Sequence, residues 1–238
     1  MSRVGLVLAI AAALASGCGK DARPTGGNPY GLPALDRPWT VREQAEAAAI
    51  VTDLCERGAT TMPAFGSPAF SRLVDASNRT TLVASPLPAR HDAITAHTAA
   101  LLEIYTAYFA CGRLPEALAA NAALLEGYAE SLAVGRAMRD AAAPDSPERA
   151  SRQAGLDQMI AGLDGGIAST VAMLGDVEIP GDVPPAIGQR LGAAIAAVRG
   201  ELPAGLLDDS IATLRQAATA VTDPERRRAV AAAAAALD

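Results

Sequence analysis

The sequence predicts an all-α fold, a bundle of about six to eight helices, mostly antiparallel and without a sheet. Three observations carry that expectation. Alanine, the best helix former, makes up roughly a quarter of the chain. Apolar residues recur at helical spacing almost throughout, and no stretch alternates with the period of two that a half-buried strand needs. The 238 residues are 50 % apolar and 19 % charged, enough to bury a core and too little charge for a disordered chain. Only 3 % are aromatic, so the helices are expected to meet through small side chains and close backbone approach. Twenty-six acidic residues against twenty basic give a net charge of −6, which argues against nucleic acid as a partner, because phosphate binding needs a basic surface.

Each helix has its own signal. Thr40-Val41-Arg42-Glu43 matches a capping box, and Val41, Ala45, Ala48, Val51, Leu54 and Cys55 form an apolar stripe behind it. Ser67-Pro68 opens a short segment carrying Phe70, Leu73 and Val74. A Pro-rich turn, Pro86-Leu87-Pro88, precedes a helix over about His91 to Cys111, with Ile94, Leu101, Leu102, Tyr105, Tyr108 and Phe109 as its core face. Gly112 stops it and Pro115-Glu116 starts the next, which predicts an antiparallel hairpin. Leu118, Asn121, Leu125, Tyr128 and Leu132 share one side of that second helix. Ser146-Pro147-Glu148 caps a helix with Leu156, Met159, Ile160, Leu163, Ile167, Val171 and Leu174 on its apolar face. Gly155, Gly162 and Gly166 lie on or beside that face, where a packing or bending role would offset their cost in helix propensity. After a loop over 176–185 come helices marked by Ile187, Leu191, Ile195 and Val198, then by Leu207, Ile211, Leu214 and Val221. Asp223-Pro224-Glu225 starts an alanine-rich last helix.

The first residues read as an address. Met1-Ser2-Arg3 is positively charged, and the twelve residues Val4 to Ala15 carry no charge. As a helix they would reach roughly 18 Å, short of a bilayer core about 30 Å thick, so they have the size and flanks of a secretory signal. Leu14-Ala15-Ser16-Gly17-Cys18 follows, and it resembles the lipobox of bacterial lipoproteins. That resemblance covers residues 1–18 alone. It implies that 1–17 are removed, that Cys18 is the lipid attachment site, and that Gly19, rather than Asp, directs the product to an outer membrane facing the periplasm. The mature chain would then carry a charge near −7. Residues 18–38, rich in Pro and Gly, are expected to form a flexible tether, and 39–238 a helical domain with a subdivision near 176–185.

With Cys18 acylated, Cys55 and Cys111 remain as a pair in an oxidising compartment. Both sit at C-terminal helix ends, which are neighbours if the short segment between returns the chain. A disulfide there would stabilise by roughly 4 kcal/mol in the chain-entropy picture. The alternative is two separate buried thiols.

Catalytic chemistry has little to stand on. His91 and His97 lie about 120° apart on one helix, too far round to share an ion, and no metal or cofactor is expected. No nucleophile elbow, phosphate loop or dinucleotide fingerprint is present. Glu103, Glu116, Glu126, Glu130, Asp140, Asp157 and Asp164 are compatible with exposed helix faces, so the chain is not expected to be an enzyme. Arg226-Arg227-Arg228, the one dense basic cluster, is either a solvated face or a contact for an anionic partner. Asn78-Arg79-Thr80 matches a glycosylation triplet. Tyr108, Gly112 and Ala117 resemble part of one tetratricopeptide unit, a likeness confined to one hairpin. The expected role is a membrane-anchored binding or scaffolding bundle of the cell envelope with a protein partner. The alternative is a periplasmic small-molecule or metal-binding protein, with Tyr105, Tyr108, Tyr128 and His97 near a shared cavity.

Overall fold

The computed structural model describes residues 28–80 and 85–237. Within them the secondary structure is helical and no strand occurs, as expected. The capping box forms: Thr40 accepts from the Glu43 amide, Glu43 reaches back, and α1 runs Val41–Glu56. A single 3-10 turn, Ala59–Thr61, leads to two short helices, α2 (Pro68–Leu73) and α3 (Ser77–Thr80). Long helices follow: α4 (Leu87–Ala110), α5 (Leu114–Ala141), α6 (Pro147–Gly175), α7 (Pro185–Gly200), α8 (Asp208–Ala220) and α9 (Pro224–Ala235). The Pro-rich turn expected at 86–88 is instead the first turn of α4. Proline is tolerated there, since its missing N–H would have had no helical partner.

The α4–α5 hairpin closes as its glycine predicts. Gly112 takes a positive φ of 68°. The Arg113 amide donates back to the Tyr108 carbonyl at 2.9 Å and the Gly112 amide to Phe109 at 3.0 Å, a Schellman motif that needs no Cβ at this position. Short turns make sequential long helices antiparallel, and alternate ones therefore run parallel. Glu126 of α5 pairs with Arg190 of α7, and Arg136 with Glu201 further along both. Cys55 and Cys111 join the C-terminal ends of α1 and α4 in the same way.

Helix α5 is the axis of the molecule, buried nearly all round from Leu114 to Val134. One contiguous core runs from Leu32 to Leu237, with Tyr30 and Leu35 packed against it. This corrects the tether: Leu32 and Trp39 are buried, so the chain joins the domain before residue 38. The same core crosses 176–185 without a break.

Two apolar stripes are rotated from their sequence reading, and in a third helix the glycines have another role. In α1 the buried face includes Gln44 and excludes Val41 and Ala45. In α4 it includes His97 and Ile104, whereas Leu102 and Phe109 are exposed. In α6, a Cβ at Gly155, Gly162 or Gly166 would meet nothing within 4 Å, so these glycines serve no internal packing. The close approach is elsewhere. A Cβ added at Gly188 or Gly192 of α7 would overlap the carbonyl groups of Ala229 and Ala233 in α9, lying 2.7 Å and 2.8 Å from their carbons. Backbone contact of this kind is what the low aromatic content foretold.

Candidate functional site

Three polar groupings are built by this fold, and each starts from a side chain that its local sequence places against other helices. The largest begins at Gln44. Its Nε2 donates to the Trp39 carbonyl at 3.0 Å and the Asn78 carbonyl at 2.9 Å, so its Oε1 is left as an acceptor. His97 Nδ1 lies 2.8 Å from that oxygen and therefore carries the ring proton. His97 Nε2 then faces Arg79 Nη1 at 3.4 Å as an acceptor. Arg79, from α3, is 3 % exposed and donates through Nε to Glu130 at 2.9 Å, with Glu126 at 3.7 Å. Glu126 also accepts two bonds from Arg190, at 2.8 and 3.0 Å. A single chain of contacts thus ties α1, α3, α4, α5 and α7.

Around it, Asn78 accepts from the Trp39 amide at 2.9 Å and donates to the Arg72 carbonyl at 3.1 Å. It is buried, which removes the glycosylation reading for the folded chain. The Arg72 guanidinium lies 6.0 Å from the Trp39 ring and pairs with Asp75 at 2.8 Å.

Burial first, and the Arg79 charge second, push the His97 pKa from its ordinary 6.5 to about 3. The linkage sign is fixed by that depression. Between pH 6.5 and 3 the unfolded chain binds a proton that the folded one refuses, so stability is full above pH 6.5 and falls with acid. Unfolding by urea, followed through the single buried Trp39, is expected to show about 2–3 kcal/mol less stability at pH 4.5 than at pH 7 from this residue. Ordinary carboxylates stay ionised across most of that window, so a His97→Gln variant should flatten the dependence. An unchanged slope in the variant would remove His97 as its source.

The second grouping closes the end of the bundle at Gly112. Cys55 and Cys111 are joined with their Cα atoms 5.8 Å apart, the pairing expected from the sequence. Glu116, read as exposed, is buried: it pairs with Arg113 and accepts from the Phe65 amide at 2.8 Å. Tyr108 donates to the Pro63 carbonyl at 2.8 Å and packs edge-on against Phe70 at 5.5 Å. Replacing Cys55 and Cys111 by Ser should lower stability by about 2–4 kcal/mol, measurable as a lower urea midpoint, with dithiothreitol giving the same loss in the parent chain. A midpoint unmoved by both would show that the 55–111 bridge adds no constraint.

The third grouping is a single side chain. Arg226 is 4 % exposed and its guanidinium is ringed by carbonyls. Asp176, Ile179 and Gly181 accept at 2.8, 2.9 and 2.9 Å, and Met173 and Leu174 stand at 3.4 Å. Burial pulls its pKa below the usual arginine value, opposed by Asp223, Asp176 and Asp182. The basic triplet is therefore split by helix geometry. Arg226 clasps the α6–α7 loop, while Arg227 and Arg228 are exposed and Arg228 pairs with Glu225 at 2.5 Å.

The residues expected around a shared cavity have separate surroundings. His97 belongs to the polar chain and Tyr108 to the Gly112 end. Tyr105 stacks on Phe109 with centroids 6.1 Å apart, and Tyr128 is half-buried against the core. Burial raises the pKa of all three tyrosines. Two shallow surface depressions, one around Arg199 to Asp208 and one around Arg139 to Gln153, are lined by none of the four. Among the described residues no group of three or more His, Cys, Asp or Glu side chains is placed to hold a metal ion. Cys18 lies outside the described residues.

Sequence reasoning missed Gln44, Arg79, Glu126, Glu130 and Arg190 as one unit. The only signal was Gln44, a polar side chain on the apolar side of α1. No family model, curated protein or solved structure matches this chain.

Proposed function

We propose that this protein is a lipid-anchored component of the bacterial cell envelope, a binding or scaffolding bundle attached to a membrane through Cys18. The supporting observation is one of cysteine chemistry. The chain has three cysteines, and Cys55 and Cys111 are joined to each other. The third stands in the lipobox-like Leu14-Ala15-Ser16-Gly17-Cys18, behind an uncharged apolar run. A disulfide within the body fits an exported protein, because reducing compartments keep thiols apart. Membrane attachment would come from the acyl chains on Cys18, each methylene contributing about 0.8 kcal/mol. No described helix is long and apolar enough to cross a bilayer.

Binding is preferred over catalysis because the charged side chains that the fold gathers are engaged with one another. Arg79, Glu126, Glu130 and Arg190 neutralise each other, and both His97 nitrogens have partners.

The test is metabolic labelling of the full chain with an alkyne fatty acid in a bacterial host, beside a Cys18→Ser variant. The parent should carry the label and stay with membranes through a carbonate wash; the variant should lose both. An unlabelled parent released by washing would overturn the reading.

A further inference from the structure

The segment between α6 and α7 lies over the core without a helix or strand of its own. Among the described residues, 176–183 make no well-formed backbone-to-backbone hydrogen bond. Within the segment, the Glu178 amide donates to the Asp176 carboxylate at 2.9 Å. Val183 is 1 % exposed and Ile179 is packed on the core, while the other six residues face solvent. Gly181, at a φ of 127°, crosses the start of α5 so closely that a Cβ there would stand 3.3 Å from Leu114 and 3.4 Å from Pro115.

The polar attachment of this segment converges on one guanidinium. Arg226 of α9 donates through Nη1 to the Asp176 carbonyl and through Nη2 to those of Ile179 and Gly181. Nη1 also stands 3.4 Å from the Met173 and Leu174 carbonyls in the last turn of α6. A helix leaves its final carbonyls without helical partners, and a cation at that end is favoured by the helix dipole. Arg226 therefore caps α6 and holds the loop at once, from 50 positions away in the chain. Beyond the loop, α7 is fixed independently, by the close approach of Gly188 and Gly192 to α9 and by the Arg190–Glu126 pair to α5.

We propose that residues 176–183 form a strap that lifts as a unit while the helices stay folded, with Arg226 as the latch that sets how often it opens. Segments with few backbone hydrogen bonds open locally at a lower cost than the whole fold. Three carbonyl bonds to one side chain are lost together, which makes the opening all-or-none. Lifting withdraws Val183 and Ile179 from the core and uncovers Leu114, 2 % exposed in the closed form. The strap thus conceals an apolar patch, and Arg226 controls its exposure. This device does not rest on the Cys18 anchor.

The experiment uses the full chain carrying Cys18→Ser, so that an introduced cysteine is the single free thiol beside the 55–111 bridge. Val183→Cys reports on the strap and Ala123→Cys, fully buried in α5, on the core. Labelling by N-ethylmaleimide is followed by mass, each rate divided by that of the same thiol in the urea-unfolded chain. The Val183→Cys thiol should react at least about tenfold faster than the Ala123→Cys thiol, and its rate should rise less steeply with low urea. Equal rates with the same urea dependence would mean that 183 is reached by global unfolding alone, and would overturn the strap. Adding Arg226→Gln should speed the Val183→Cys reaction about tenfold or more. Arg226→Lys, which keeps the charge and cannot span three carbonyls, supplies the same reading if the glutamine variant does not fold. A rate changed less than about twofold by these substitutions would overturn the latch.

Discussion

Replacing Arg79 by Ala should destabilise the protein by about 2–4 kcal/mol, because it empties a buried site between helices and strips the half-buried Glu130 of its ion partner. Arg79 is 3 % exposed and donates to Glu130 at 2.9 Å. Removal of the buried member costs more than the pair contributes, since the remaining carboxylate, 29 % exposed, keeps part of its desolvation penalty. A double variant, Arg79→Met with Glu130→Leu, should therefore recover a good part of the loss. Urea unfolding followed by Trp39 reads both. A single-variant cost under about 1 kcal/mol would mean that the network is solvated and that its apparent burial has no energetic consequence.

The second large effect lies between α7 and α9. Gly188→Ala and Gly192→Ala are each expected to cost about 1–3 kcal/mol, and the double variant more than either. A new Cβ at these positions meets backbone of Ala229 and Ala233 rather than the end of a flexible side chain, so neighbouring rotamers cannot absorb it. The two costs should add incompletely, because once the helices part for the first methyl the second has more room. Gly162→Ala and Gly165→Ala provide the contrast. Nothing lies within 4 Å of a Cβ there, and each should stabilise by about 0.5–1 kcal/mol through helix propensity. If all four substitutions behave alike, the close α7–α9 contact is not what holds the C-terminal helices.

Much of the architecture was legible because helix ends are local. Thr40 with Glu43, Ser146 with Pro147 and Asp223 with Pro224 mark starts that the structure reproduces, and Gly112 marks a stop. Capping needs only residues within one turn of each other, so it is written in consecutive positions. The disulfide was legible for a related reason: two helix ends and a returning segment leave few places for Cys55 and Cys111 except side by side.

The polar core was not legible. Gln44 and His97 are separated by 53 residues, Arg79 and Glu130 by 51, Arg190 and Glu126 by 64. Glu126 and Glu130 sit at ordinary helical spacing, which looks the same whether that face meets water or a buried arginine. The glycines of α6 show the converse error. Their spacing in the sequence matches that of Gly188 and Gly192, yet only the latter pair faces a neighbouring helix.

By itself the sequence determined the class of fold and most of the long helices' starts and stops, and it favoured Cys55 and Cys111 as partners over two separate thiols, because each follows from residues near in sequence or from simple pairing. The tertiary structure decided which side of α1 and α4 turns inward, why Arg226 is buried and Arg227 is not, and which glycines are needed. The reason is physical. Helical periodicity sets the width of an apolar stripe, but the rotation of that stripe is set by neighbours far away in the chain, and a buried charge or a missing Cβ has meaning only when those neighbours are in place.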